Sequence, residues 1–405
     1  MPLTRGDEYA AAVASLSWRH PTITPETHQA TSFEIFFDLV FVFAITRVVS
    51  FMAHSPSAPA LARGLILLLL LWWSWAAYAW LGNRVHADRG VIRTGMLIAM
   101  AALFVAALVM PDAFSHHAAT VDAPLVLAVA FSVVRAIYLG LHLSSAGDDR
   151  RLRAQLLLDA IPQTIALAIL LTGAVLGGTW QTALWATAFA IDFGGGRIAS
   201  GLGGWTIRSA AHFAERHRMV LIIALGESLV SAGAGGDLTG TAALLAALVG
   251  FVAVVCLWLL YFSRVADAAE AALERASGTR RAKIARDAYT LLHFPLIAGA
   301  VYIALGVHEV LSGLSGDSPD TGRPLEWAPL TALYAGAAVF LLGRAAFVSL
   351  TTHSGQPAPL IVAAVLLALI PLARLLPAIA ALALVTALLA ALVAFEQRTG
   401  EVQRA

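Results

Sequence analysis

The feature that most constrains this chain is a series of apolar runs, each close to the length of one bilayer crossing. Leu65 to Trp73 is continuous Leu, Ile and Trp, and in hydrocarbon such a run must satisfy its backbone internally, as helix. Similar stretches recur near 33–53, 61–81, 91–110, 122–143, 155–176, 179–193, 217–232, 240–262, 288–311, 327–349, 359–375 and 377–395. None shows the alternating pattern, about ten residues long, of an outer-membrane strand. Since a spanning helix takes about 20 apolar residues, the expected fold class is all-α, a polytopic membrane protein of about twelve transmembrane helices. The sixth, seventh and eleventh stretches are short, so twelve could become eleven or ten.

Composition narrows the function. Of 405 residues, 59% are apolar and 13% charged, against about 45–50% and 25% in soluble domains, and the mean hydropathy is +0.79. With 26 basic and 25 acidic residues, the chain lacks the basic footprint of a nucleic-acid binder. A lone Cys256 can form neither an internal disulfide nor a cysteine metal site. The expected partners are the lipid bilayer and a small solute or ion, with no nucleic acid, no metal and no other cofactor. Residues 1–32 are polar and proline-punctuated and do not read as a cleavable leader, so the first apolar stretch is expected to be retained.

Basic residues set the orientation. Alternate connections on the N-terminal side hold 20 of the Lys and Arg residues, whereas those on the other side hold three, Arg63, Arg323 and Arg374. Positive charge marks the cytoplasmic side, which predicts both termini in the cytoplasm.

The chain also aligns with itself. Glu34, Val49 and Ser50 match Glu215, Val230 and Ser231 at an offset of 181, and Arg84-Val85 matches Arg264-Val265 at 180. Farther on, Ala123-Pro124-Leu125 matches Ala328-Pro329-Leu330 at 205, while Arg135 and Ile161-Pro162 match Arg344 and Ile370-Pro371 at 209. These landmarks predict two six-helix repeats of the same orientation. The expected organisation is a cytoplasmic segment 1–32, a first repeat 33–196, a cytoplasmic connection 197–216, a second repeat 217–395 and a cytoplasmic tail 396–405.

Ionisable residues inside apolar stretches are costly and so mark pairs or hydrated paths. Glu34 and Asp38 lie one turn apart on one helix face. The seventh stretch opens on Glu215-Arg216-His217-Arg218 and later carries Gly226-Glu227-Ser228; the ninth begins His293-Phe294-Pro295. Glu34, Asp38, Glu227, Ser228 and His293 are the candidates for lining a solute or ion path. Arg47, Arg135, Glu215 and Arg216 are the candidates for structural ion pairs. The 181-residue offset maps Thr46 onto Glu227, which places Arg47 at nearly the same depth and suggests an Arg47–Glu227 pair. Each path candidate also has a structural reading, as a packing or pairing residue. His116-His117 reads as an outer loop without metal-ligand spacing, Asp159 and Asp192 as interfacial, and the glycine-rich run 194–204 as a flexible connection. Trp72, Trp73, Trp75, Tyr78 and Trp80 read as a headgroup belt.

The strings FEIFFDLVFVFAITRVV (33–49), AERHRMVLIIALGESLV (214–230) and HFPLIAGAVYIALGVHEVL (293–311) together resemble the bacterial low temperature requirement protein A family, essentially end to end. The resemblance carries that family's acidic first-helix motif onto Glu34, Phe36, Phe37 and Asp38. Its second motif falls on Glu215, Arg216, His217, Gly226, Glu227 and Ser228, and its His-x-Pro helix on His293 and Pro295. It implies a multipass protein of the bacterial cytoplasmic membrane linked to growth in the cold, and no particular substrate. The first stretch is also similar to the Phe-Ser-Asp helix of a two-repeat potassium-channel family, but Phe37 stands in place of the Ser and the seventh stretch lacks the Asp.

Two functions follow as expectations: a transporter or channel with its path between the two halves, or a membrane scaffold or cold-stress factor acting through protein or lipid contacts. An enzyme is not expected, because no nucleophile or metal cluster stands at an interface.

Overall fold

The computed structural model describes residues 21–402 apart from 27, 116–120, 202–205, 235–239 and 316–320; His116 and His117 lie outside the described residues. The described chain is helical, with one isolated bridge, Ile23 to Val85, and no strand. In order the helices are α1 Ser32–His54, α2 Ala58–Arg84, α3 Gly90–Val109, α4 Ala123–Ser145, α5 Arg150–Leu176, α6 Gly178–Gly201 and α7 Ala210–Ala234. They continue with α8 Thr241–Phe262, α9 Val265–Arg275, α10 Gly278–Ile284, α11 Leu292–Leu314, α12 Trp327–Thr352, α13 Pro357–Ala373 and α14 Ala378–Val402. Because α8 and α9, and α10 and α11, follow one another almost without interruption, the apolar stretches read from the sequence each fall on one helical segment. Among the described residues nine segments are long and apolar enough to cross a membrane. The other three are α6, α7 and α13.

Local chemistry explains several boundaries. Asp122 caps α4 by accepting the N–H of Leu125, and Asp149 caps α5 by accepting that of Leu152, each at 3.0 Å, which satisfies one of the unpaired donors at a helix start. Ahead of α11 the chain forms a π-helical turn, Ala285–Leu291. Pro295 in the first turn of α11 has no N–H to give the carbonyl four residues back and its ring crowds that carbonyl, so the preceding turn widens. The Thr290 hydroxyl donates to the Ala285 carbonyl, five residues back, at 3.1 Å.

One expectation changes here. The glycine run from 194 does not leave the helix: α6 continues to Gly201. Small residues let two backbones approach, and a side chain at Gly195 would collide with Pro162 of α5.

Outward faces are apolar, with Ile98, Phe104 and Leu108 on α3 and Leu244, Leu248 and Phe251 on α8 all exposed, while Glu34, Asp38, Arg216 and Glu227 are buried. Polar inside and apolar outside is the arrangement of a chain solvated by lipid. By contact the chain divides into two compact units. One comprises residues up to Ala44 with Leu69–Arg216; the other comprises Ile45–Leu68 with His217 onward. Within the first, α5 packs on α6 and α3 on α4; within the second, α11 packs on α12 and α8 on α14.

Candidate functional site

The first unit holds a buried polar cluster built where α1 begins. Thr31, Ser32, Phe33 and Glu34 form a capping box: the Glu34 N–H donates to the Thr31 hydroxyl at 3.3 Å, and the Thr31 N–H donates back to Glu34 Oε2 at 3.0 Å. One turn on, Asp38 points the same way. Into the gap comes Arg216 of α7, whose planar fork reaches both carboxylates. Its Nη1 donates to Glu34 Oε1 at 2.8 Å, while Nη2 and Nε donate to Asp38 Oδ1 and Oδ2 at 2.6 and 3.1 Å. Trp75 of α2 donates its indole N–H to Asp38 at 2.8 Å and sets its ring 5.8 Å from the guanidinium carbon. The side chains of Glu34, Asp38, His212 and Arg216 are inaccessible to solvent.

His212 completes the cluster, and its tautomer follows from its neighbours. Asn83 accepts the Arg208 N–H through Oδ1 at 2.8 Å, so its Nδ2 is the donor, to the Ser209 carbonyl at 2.6 Å and to His212 Nδ1 at 3.2 Å. The His212 proton therefore sits on Nε2, which donates to Glu34 Oε1 at 2.9 Å. Glu34 is also faced by His28, whose Nε2 lies 4.0 Å from Oε2. Burial, followed by nearby His212, pushes the His28 imidazole below the ordinary histidine range. His28, Glu34 and His212 form the one described group with metal-ligand chemistry. Two features set it against an ion: the ligating nitrogen of His212 carries the proton, and Arg216 already neutralises Glu34.

Close packing makes room for the cluster. A Cβ on Gly82 would lie 2.5 Å from Glu34 Oε1, so only glycine fits on α2 there.

The second unit carries the other expected residues. Thr46 donates its hydroxyl to the Glu227 carboxylate. Arg47 makes no ion pair among the described residues, which corrects the expected Arg47–Glu227 pair. Ser228, beside Glu227, donates to the Ala300 carbonyl at 3.5 Å. His293 is buried in an aromatic nest: the Tyr261 hydroxyl is 2.7 Å from its Nε2, and the rings of His217, Tyr289 and Phe347 lie 5.1, 5.3 and 4.6 Å away. These contacts pack the His293 ring among aromatic side chains of the second unit.

Of the other pairing candidates, Arg135 meets Asp192 at 2.8 Å, so the acid read as interfacial has a cationic partner, and Asp159, read likewise, is buried. Glu215 joins no ion pair among the described residues; it accepts the Ala30 backbone N–H at 2.8 Å. In the second unit Arg344 takes Glu396 in a two-pronged pair at 2.9 and 2.6 Å, so the matching arginines of the proposed repeat each hold a carboxylate. The aromatic belt is also revised: Trp75 and Tyr78 are buried, the former bonded to Asp38 and the latter donating to the Val134 carbonyl at 2.8 Å. Thr31, Asn83 and His212 were not singled out from the sequence, and Trp75 only as a belt residue; the capping box, Thr-x-x-Glu, was the one readable signal.

An uncharacterized protein of Rhizobium meliloti (strain 1021) is 26% identical to this chain over 304 residues, covering 71% of each. No solved structure matches. The family model for the bacterial low temperature requirement A protein matches residues 29–394. The chain therefore belongs to the bacterial low temperature requirement A (LtrA) family of membrane proteins.

Proposed function

We propose that this protein is a transporter or channel-like protein of the bacterial cytoplasmic membrane, moving a small solute or ion, with Glu227 as its working carboxylate. The observation that carries the reading is an acid at membrane depth: Glu227 is buried deep in the apolar part of α7, where it accepts the Thr46 hydroxyl. An ionisable residue within a membrane-spanning stretch is costly and is the ordinary mark of an ion or proton path. Arg47 and Ser228 stand beside this pair in sequence and supply polar groups to the same stretch. The reading assigns no catalytic residue.

In this proposal all twelve helical segments cross the bilayer as two repeats of like orientation, with both termini cytoplasmic. The basic asymmetry of the connections supports the orientation. Length supports the extra crossings, since α6 and α7 have 24 and 25 residues and at 1.5 Å per residue reach about 36 Å. What lowers the hydropathy of α7 is Glu215 to Arg218, and Arg216 there is already neutralised by buried carboxylates.

A second reading, a scaffold or cold-stress factor acting through lipid or protein contacts, draws support from the saturation of Glu34 and Asp38, which have the partners of a structural clamp. Reconstituted vesicles separate the two. With a pH dye inside and an imposed potassium diffusion potential, a panel of ions and small solutes should reveal flux that Glu227→Gln abolishes while protein level and orientation hold. Wild-type vesicles indistinguishable from protein-free ones across the panel would overturn the transport reading in favour of the scaffold.

A further inference from the structure

The second unit holds a cavity of about 420 Å³ at the end of the bundle where α8 breaks into α9, α12 turns into α13 and α14 ends. That size suits a small-molecule headgroup. Its charged lining is two arginines and one glutamate. Arg344 is neutralised by Glu396 on both prongs, and its Nε donates to the Leu260 carbonyl at 2.6 Å. Arg264 has no such neutralisation: it reaches the Glu396 backbone carbonyl at 3.4 Å and joins no ion pair among the described residues. The lining therefore carries one excess positive charge.

Two further features sharpen the ligand. The α13 helix starts at this wall with Pro357-Ala358-Pro359, and the positive end of a helix favours an anion. Gln356, at the capping position, makes no side-chain cap bond to that helix. Its Oε1 is buried with no hydrogen-bond partner, an acceptor in want of a donor. Ile361 and Phe395, both exposed, border the same cavity and offer apolar surface to acyl chains.

We infer that this cavity is a binding site for an anionic glycerophospholipid whose headgroup carries a hydroxyl, with the phosphodiester at Arg264 and the hydroxyl donating to Gln356. Basic pockets between spanning helices on the cytoplasmic side are the usual seats of anionic headgroups. Choline has no donor for Gln356, and the ammonium of ethanolamine cancels the phosphate charge that Arg264 attracts. The inference holds whether or not the protein moves a solute.

The test uses the full chain in detergent, with phosphatidylglycerol, phosphatidic acid and phosphatidylcholine of matched acyl chains, read by native mass spectrometry and thermal shift. Wild type should retain phosphatidylglycerol over phosphatidylcholine. Arg264→Ala should weaken phosphatidylglycerol about fivefold, the worth of one basic residue at an anionic surface, and leave phosphatidylcholine unchanged; Arg264→Lys should restore most of the difference. Gln356→Leu should erase the preference for phosphatidylglycerol over phosphatidic acid, which lacks the hydroxyl. Equal retention of phosphatidylglycerol and phosphatidylcholine by wild type, or no effect of Arg264→Ala, would overturn the site. Glycerol 3-phosphate protecting as well as the lipid would overturn the lipid as its occupant.

Discussion

Replacing Arg216 with Met keeps most of the side-chain volume, so its cost reports charge and not cavity. Three charge-assisted hydrogen bonds disappear, at 2.8, 2.6 and 3.1 Å, and two carboxylates stay behind in a site closed to solvent. Glu34 keeps its bonds from Thr31 and His212, and Asp38 keeps the Trp75 indole; neither keeps a counter-charge of comparable geometry. Stranding one side of a buried pair costs about 3–5 kcal/mol, and we expect Arg216→Met to fall in that range. Arg216→Lys, which retains the charge without the fork, should be intermediate. Neutralising the whole set as Glu34→Gln, Asp38→Asn, Arg216→Met should recover much of the loss, since a buried ion pair and a neutral replacement of like volume are often close in stability. Cys256, the sole cysteine and buried, is a built-in reporter: pulse labelling with a thiol-reactive dye across a denaturant series reads the unfolded fraction. Arg216→Met within about 1 kcal/mol of wild type, well under the cost of a stranded buried charge, would refute the buried-clamp reasoning. So would a triple variant whose loss is the sum of its parts.

Three other outcomes follow from the same geometry. Gly82→Ala places a methyl 2.5 Å from Glu34 Oε1 and should cost about 1–3 kcal/mol as an overpacked site; wild-type stability would mean the helix yields there. Thr46→Val should destabilise by about 1.5–3 kcal/mol, the worth of a hydrogen bond to a charged group, and Arg47→Gln by less; the reverse order in the same labelling assay would restore the Arg47–Glu227 pair. Folded His28 holds its proton more weakly than the unfolded chain, whose value is near 6.5. Its contribution is therefore intact above that pH and lost as pH falls below it, until the folded imidazole also protonates. His28→Gln should flatten that part of the stability profile, against a background set by His212, His86, Glu34 and Asp88. An unchanged slope below pH 6.5 would remove His28 as its source.

Much of the fold was legible because lipid imposes a simple rule: long apolar runs become helices, and each run read from the sequence lies on one helical segment. The site was legible in part. Spacing along one helix showed that Glu34 and Asp38 share a face, but Arg216 and Trp75 come from other helices, and no local pattern says which distant side chain will arrive. Trp75 looked like a headgroup-belt residue because aromatic clustering gives depth and not facing. The internal offset had the same limit with Thr46 and Arg47. It fixed their level against Glu227, but consecutive residues on a helix point about 100° apart, and the backbone turned the threonine inward. His293 read as a path candidate from its chemistry alone; its ring partners come from four different segments.

The measurement that bears most directly on Glu227 as the working acid is infrared difference spectroscopy of the reconstituted protein across a pH titration, which reads carboxyl protonation without knowledge of the substrate. We predict a buried carboxylic C=O band that exchanges with carboxylate, vanishes in Glu227→Gln, shifts in Thr46→Val and survives in Asp38→Asn. A band that persists in Glu227→Gln and disappears in Asp38→Asn would contradict that assignment and move the working acid into the Arg216 cluster.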